Sequence, residues 1–170
     1  MNKLQIGDIG FSFKKRNLFS ALVYAVSRWK TKSASSKKIS HCFIYMGDGL
    51  IAESSFHGVA IVSIKKYENQ KYDLYFKRTT KIMTPQEQQT LWMHAAKQAG
   101  LTKYSYGQLF VMLFGKIFNI RMKDYSKMDK VCSEFVSEDY RLIDINLTGK
   151  EDASEDTPLD LFDSEKLVDV

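Results

Sequence analysis

The chain has 170 residues and a mass of 19.6 kDa, a size that fits one domain with one hydrophobic core. Apolar residues make up 44% of the sequence and charged residues 26%, with nine Gly, two Pro and two Cys. This composition excludes collagen-like, low-complexity and disulfide-framework proteins and is typical of a globular domain.

The charge is distributed unevenly along the chain. Residues 1–150 hold 24 basic and 12 acidic residues, a balance of +12, whereas residues 151–170 hold one Lys and eight acidic residues, a balance of −7, so that the net charge is +5. The basic part could favour nucleic acid, an anionic membrane surface or an anionic polymer, although a solvated surface is the simpler explanation. No motif interleaves aromatic with basic residues, so specific nucleic-acid binding is not predicted.

The first eight residues contain no apolar run after Lys3, which argues against a secretory signal. The most apolar stretch, residues 109–120, is shorter than the roughly 20 residues that a membrane-spanning helix needs. Two cysteines ninety positions apart fit free thiols in a reducing compartment. We therefore expect a cytoplasmic protein, or one that acts in a host cell or virion if a phage encodes it.

The first half of the chain predicts a small, mostly antiparallel sheet and one helix. Strands are predicted over 9–13, 39–46, 50–54, 59–64 and 72–77. The segment Gly47-Asp48-Gly49 supplies the positive φ angles of a tight hairpin. Asn17 can cap a helix over 18–29, followed by a basic, Ser-rich connector over 30–38. Apolar residues recur at helical spacing in that helix: Leu18, Leu22, Ala25, Val26 and Trp29.

The second half of the chain is predicted to be helical. Thr84-Pro85-Gln86-Glu87 combines a capping Thr, a Pro at the first helical position and a Glu three residues after the cap, at the start of a helix ending near residue 99. Further helices are predicted over 106–118 and 131–142. The acidic tail over 151–170 is too apolar for pure disorder. We therefore predict an α+β fold, with one domain over 1–170.

Cys132 lies where a loop becomes a helix, in the segment Val131-Cys132-Ser133. Unpaired amides and the positive end of the helix dipole favour a thiolate there, and the same amides could hold a developing oxyanion. A buried structural thiol is the alternative, because free cysteines are among the most buried residues.

His41 and Glu53 are predicted on the two strands of the hairpin. Both are odd-numbered, so a turn about Gly47 or Asp48 places them directly or diagonally opposite each other on one sheet face. A carboxylate in that position keeps an imidazole in the tautomer that a general base needs. The alternative is a polar pair on a solvated face. Cys42 points to the opposite face and is expected in the core.

The other histidines are less suggestive of chemistry. His57 in a turn and His94 on an amphipathic helix are expected to be surface residues or to have satisfied partners. A zinc site from His41, Cys42, His57 and Cys132 lacks paired short spacings and divides its ligands between two sheet faces. No glycine loop that could cradle a phosphate is present. Neither a metal nor an organic cofactor is predicted.

The order of these segments resembles the circularly permuted papain-like group, relatives of NlpC-type cell-wall peptidases that include YiiX-like proteins and the lecithin:retinol acyltransferase group. The resemblance covers nearly the whole chain. One local difference is Cys42-Phe43, where the group usually has a small or β-branched residue and then Gly. The matching segments are Gly7-Asp8-Ile9-Gly10-Phe11, Ser40-His41-Cys42-Phe43-Ile44-Tyr45, Gly47-Asp48-Gly49, Ile51-Ala52-Glu53, Gly58-Val59-Ala60-Ile61-Val62, Tyr104-Ser105-Tyr106-Gly107, Val131-Cys132-Ser133-Glu134-Phe135-Val136, and Thr157-Pro158-Leu159-Asp160-Leu161 with Ser164.

The resemblance implies that Cys132 is the nucleophile, His41 the general base and later the acid, and Glu53 the group that orients His41. The implied activity is thiol-dependent hydrolysis of an amide bond in a peptide or cell-wall peptide, through an acyl-enzyme and without a cofactor. One alternative is a lipid acyl-ester hydrolase or acyltransferase, with the apolar helix over 106–118 meeting anionic lipid. The other is a catalytically silent viral or phage binding or structural module.

Overall fold

The computed structural model describes residues 3–31, 35–55, 58–99 and 131–170. The described strands are β1 (Ile9–Lys14), β2 (His41–Gly47), β3 (Leu50–Ser55), β4 (Gly58–Ser63), β5 (Tyr72–Thr79) and β6 (Leu167–Asp169). The described α-helices are α1 (Leu18–Thr31), α2 (Pro85–Ala99), α3 (Cys132–Arg141) and α4 (Pro158–Phe162), with short 3-10 helices at Ile64–Lys66 and Ala153–Glu155. The helix predicted over 106–118 and residue His57 lie outside the described residues.

The six strands form one antiparallel sheet in the order β4-β3-β2-β1-β5-β6. The predicted α+β class, with a small antiparallel sheet packed against three to four helices, is confirmed. Strand β6 was not predicted. Its Leu167 pairs with Thr79 at the end of β5, and three residues are too few to produce an alternating pattern that the sequence could reveal.

The hairpin and the helix starts predicted within the described residues are present. The Asn17 side chain accepts a hydrogen bond from the Ser20 amide at 2.9 Å at the start of α1. At the start of α2, the Thr84 hydroxyl accepts from the Glu87 amide at 3.2 Å, and the Glu87 carboxylate accepts from the Thr84 amide at 2.7 Å. Positive φ angles occur at three consecutive residues of the β2–β3 turn: Gly47, Asp48 and Gly49.

Two apolar clusters lie on opposite faces of the sheet. The larger one joins β1, β2 and β3 to buried side chains of α2, α3 and α4, including Leu91, Phe135, Tyr140 and Leu161. The smaller one is built around four buried residues: Phe43, Ile51, Ile64 and Tyr67. Because side chains alternate along a strand, β2 and β3 contribute their even residues to the larger cluster and their odd residues to the smaller one.

The acidic C-terminal segment packs on the larger cluster. Leu159, Leu161, Phe162 and Leu167 are buried there, whereas Val168 is half exposed. A reciprocal capping box holds the start of α4, since the Thr157 hydroxyl accepts from the Asp160 amide at 3.1 Å and the Asp160 carboxylate accepts from the Thr157 amide at 2.8 Å. The segment therefore packs as part of the fold, as its apolar content indicated, and Asp160 takes part in its local structure.

Across the described ranges, no helix combines the length and the hydropathy that a membrane-spanning segment requires.

Candidate active site

His41 and Glu53 meet across the β2–β3 hairpin. Ile44 pairs with Ala52, so Phe43 comes opposite Glu53 and His41 lies diagonally across from it on the same sheet face. The Nε2 atom of His41 lies 3.1 Å from Oε2 of Glu53, and the Glu53 side chain is buried. This contact fixes the orientation of the imidazole and leaves Nδ1 available on the other side of the ring.

Two further residues bind Glu53 that the sequence did not predict. The ammonium of Lys66 and the hydroxyl of Tyr67 both donate hydrogen bonds to the Glu53 carboxylate. Both residues come from the 3-10 turn after β4, whose start is capped when the Ser63 hydroxyl accepts from the Lys65 amide at 3.3 Å. The distance of Lys66 and Tyr67 from Glu53 in the sequence does not predict these contacts, because the turn brings both residues back over the sheet only in the folded chain.

Aromatic rings surround the imidazole on this face. The Tyr67 ring stacks on Phe43 at a centroid distance of 4.8 Å and lies 6.0 Å from the His41 ring. Gly10 of β1, which pairs with Phe43 of β2, makes room for this arrangement, since a Cβ atom at Gly10 would overlap the Phe43 ring. Phe43, which stands where the resembled group usually has Gly, thus packs between Gly10 and the ring of Tyr67.

Cys132 is the first residue of α3 and is partly buried against the larger cluster. Val131, the residue before it, is the N-cap residue, and its apolar side chain cannot accept a hydrogen bond from the first amides of the helix. The thiol contacts residues of both faces of the sheet at the start of β2. It lies close enough to the His41 imidazole and to the thiol and backbone amide of Cys42 for these groups to shift its pKa.

The electrostatics of this cluster favour a thiolate–imidazolium pair. Hydrogen bonding from Cys42, together with the His41 charge, holds the pKa of the Cys132 thiol well below its ordinary value despite burial. Burial lowers the pKa of His41, but the Cys132 and Glu53 charges and hydrogen bonds more than offset it and raise that pKa to about 9. These opposite directions favour the proton on the imidazole rather than on the sulfur.

The other titratable groups of the cluster are Glu53, Tyr67 and Cys42; the pKa of Glu53 is lowered, and those of Tyr67 and Cys42 are raised. Burial raises the pKa of Glu53, but hydrogen bonds from His41, Lys66 and Tyr67 outweigh burial and lower that pKa to about 2. Burial and the Glu53 charge raise the pKa of Tyr67. Burial also raises the pKa of the Cys42 thiol, which stays protonated and can donate to Cys132. Cys42 is fully buried, as expected for a core residue, yet it also contacts the candidate nucleophile.

A second histidine–carboxylate pair lies away from the cysteine. The Nδ1 atom of His94 on α2 lies 2.5 Å from Oδ1 of the buried Asp139 on α3, and Nε2 lies 3.2 Å from the Gln98 amide. His94 therefore has satisfied partners, as the sequence indicated.

The structure thus brings Cys132, His41 and Glu53 together, and their catalytic roles stay a prediction. Within the described part of the chain, no group of three or more His, Cys, Asp or Glu side chains is arranged to hold a metal ion.

Comparisons with known proteins identify a similar fold. No protein-family model matches the sequence, and no curated protein matches it. Among solved structures, the chain is similar to one described as the metalloprotein YiiX from Escherichia coli O157:H7, DUF1105. The match has a TM-score of 0.62 and 18% identity, and it covers 98% of this chain and 96% of that chain. At this level of identity the likeness shows a shared fold, with a YiiX-like architecture over nearly the full length of both chains.

Proposed function

We propose that the protein is a thiol-dependent hydrolase that cleaves an amide bond through an acyl-enzyme on Cys132. The observation that carries this proposal is the contact of Cys132 with an imidazole that a buried carboxylate holds from behind, His41 with Glu53 at 3.1 Å. A nucleophile, a base and an orienting group in this order form the arrangement that nucleophilic acyl transfer requires. The placement in the permuted papain-like group belongs to the same proposal.

The reaction follows from the protonation states of the pair. The Cys132 thiolate attacks the substrate carbonyl carbon, forming a C–S bond and an oxyanion that the first amides of α3 are placed to stabilise. The His41 imidazolium then gives its proton to the leaving amine as the C–N bond breaks, leaving a thioester. His41, now neutral, takes a proton from water, whose oxygen attacks the thioester and releases the carboxylic acid and Cys132.

Each supporting residue has a defined task in this scheme. Glu53 holds Nε2 so that Nδ1 faces the sulfur, while Lys66 and Tyr67 hold Glu53. Cys42 stabilises the thiolate that must attack. No step is assigned to a metal. The YiiX structure is described as that of a metalloprotein, but the described residues here provide no three-ligand cluster that fits one.

The substrate class that we propose is a peptide or a cell-wall peptide. A lipid acyl ester is the alternative on the same residues, since a thioester intermediate forms equally from an ester, and an amine or alcohol acceptor in place of water would make the protein an acyltransferase. A silent binding module is the outcome if the thiol proves unreactive. Two measurements distinguish the amide hydrolase, the lipid enzyme and the binding module.

The first measurement is the pH dependence of iodoacetamide alkylation, followed by peptide mass spectrometry at Cys132 and Cys42 separately. We expect rapid alkylation of Cys132 well below pH 8.5, the ordinary pKa of a thiol, and loss of this advantage in His41→Ala. The matched control is His94→Gln, which alters the other histidine–carboxylate pair and should leave the profile unchanged. Alkylation of Cys132 no faster than an ordinary thiol would overturn the proposal.

The second measurement traps the acyl-enzyme. The protein is mixed with peptide anilides and with acyl esters of short and long chain, and its intact mass is followed, with and without a chelator. We expect an acyl adduct on Cys132 that disappears in Cys132→Ala and persists with the chelator. Adducts from long-chain esters alone would select the lipid alternative. Turnover that needs a metal and survives Cys132→Ala would refute the thiol mechanism.

A further inference from the structure

Helix α1 turns an apolar stripe toward solvent. Leu18 is 87% exposed, Leu22 42% and Trp29 72%, whereas core residues of similar size are fully buried. At 3.6 residues per turn these three positions lie within about 40° of one another around the helix axis. The exposed residues Ala21 and Ala25 widen the stripe. The helix therefore presents one continuous apolar face along its whole length.

The opposite face of α1, which packs on the protein, is the more polar one. Ser20 and Ser27 are its buried residues. Tyr24 packs edge-on against Phe13 of β1 at 6.1 Å, and the Thr31 hydroxyl lies 3.0 Å from that of Thr157 before α4. A surface helix of a globular protein ordinarily buries its apolar stripe and exposes its polar one. The reversed orientation of α1 means that packing among the described residues does not explain the exposed stripe.

The surroundings of this stripe are strongly basic. Between Asp8 and Asp48 the sequence holds eight Lys or Arg residues and no acidic residue. The exposed side chains Lys14 and Arg16 come just before Leu18, and the exposed side chains Arg28 and Lys30 flank Trp29. The apolar stripe thus has cationic residues at both ends, and α1 itself carries no negative charge to oppose an anionic partner.

We propose that this surface, defined by Leu18, Leu22 and Trp29 with the basic residues Lys14, Arg16, Arg28 and Lys30, docks on an anionic lipid bilayer. A helix lying in the interface inserts its apolar face at the headgroup boundary while flanking cations contact anionic lipids. Tryptophan suits this boundary because its ring is apolar and its N–H can hydrogen-bond. Charge complementarity selects anionic lipid over a neutral surface.

Docking in this way would bring the candidate active site near the bilayer. Ser12 on β1 pairs with His41, and β1 ends at Lys14 just before α1 begins. The start of α1 therefore lies at the same end of the sheet as His41. The binding proposal does not depend on catalysis, and each can fail without the other.

The two tryptophans provide an internal control for the test. Trp29 lies on α1 and Trp92 on α2, and both are exposed, the latter to 39%. In Trp92→Phe, fluorescence reports Trp29 alone, and in Trp29→Phe it reports Trp92 alone. The probes are vesicles of phosphatidylcholine and vesicles of phosphatidylcholine mixed with phosphatidylglycerol. We expect a blue shift and quenching by brominated lipid for Trp29, only with phosphatidylglycerol, and neither change for Trp92.

Vesicle sedimentation then tests the residues of the surface. Lys14→Glu with Lys30→Glu should weaken binding by on the order of fivefold or more for each charge reversed. Leu18→Ser with Leu22→Ser should abolish the blue shift. The matched control is Ile82→Ser with Met93→Ser, which removes exposed apolar side chains at and before α2 and should bind as the wild type does. Circular dichroism checks that every variant is folded.

Three results would overturn the proposal. The first is equal binding to neutral and anionic vesicles, or none to either. The second is a response from Trp92 in place of Trp29. The third is a dimer in solution that Trp29→Glu dissociates, because the stripe would then be the contact between two copies of the chain.

Discussion

Tyr67 donates its hydroxyl hydrogen to the buried carboxylate of Glu53 while its ring stacks on Phe43 at 4.8 Å. One side chain thus both satisfies the carboxylate and covers the strand that carries His41. Glu53 in turn holds the imidazole at 3.1 Å. The position of the imidazole relative to Cys132 therefore depends on a residue fourteen positions beyond Glu53.

Replacing Tyr67 by Phe should loosen Glu53 without removing the aromatic packing. We expect a destabilisation of about 1.5–3 kcal/mol, because a hydrogen bond to a charged group is lost, and a higher pKa of Glu53. Urea unfolding measures the first effect. Tyr72→Phe removes a hydroxyl from the neighbouring ring, 5.0 Å away, and is expected to cost less. Equal losses in the two variants would count against the role of the Tyr67 hydroxyl.

Glu53 should make stability depend on pH in the acid range. Its pKa is about 2 in the folded protein against an ordinary 4.5, so the ionised form stabilises the fold above pH 4.5 and this contribution is lost as the pH falls toward 2. The difference corresponds to on the order of 3 kcal/mol. The stability gap between wild type and Glu53→Gln, measured by urea unfolding, should shrink over that range. A constant gap would contradict the low pKa.

Cys42 should tune the reactivity of Cys132. In Cys42→Ala the thiolate loses a donor, so the pKa of Cys132 should rise and alkylation at neutral pH should slow by about tenfold. Cys42→Ser keeps a hydroxyl donor and should restore most of the rate. Alkylation kinetics at Cys132 check both variants. Matching rates in wild type and Cys42→Ala would show that the Cys42 thiol does not stabilise the thiolate.

The pair formed by Arg78 and Asp8 should contribute much more to stability than an exposed ion pair does. Arg78 donates two hydrogen bonds to the fully buried Asp8 carboxylate, at 2.6 and 2.7 Å. Arg78→Ala leaves that charge without its guanidinium and should cost about 3–5 kcal/mol. The exposed pair of Lys15 and Asp73, 2.8 Å apart, is the comparison, and Lys15→Ala should cost at most about 1 kcal/mol. Thermal and urea unfolding measure both; similar losses would contradict this ranking.

Much of the candidate site could be predicted from local sequence. The turn Gly47-Asp48-Gly49 needs positive φ angles, and strand alternation then places His41 and Glu53 on one face, with Cys42 on the other. Cys132 at the first turn of a helix followed equally from the local pattern. Each of these features depends on neighbours in the chain or on strand periodicity, which the sequence encodes directly.

Only the tertiary structure determined the contacts between segments that are distant in the sequence. Lys66 and Tyr67 return over the sheet to Glu53, the Cys42 thiol meets Cys132 from ninety residues away, and the end of β5 pairs with β6. The spacing of Leu18, Leu22 and Trp29 predicted a helix, but periodicity is the same whichever face points inward. The tertiary contacts of the other face, such as Tyr24 on Phe13 and Thr31 beside Thr157, determine that the apolar stripe of α1 faces solvent.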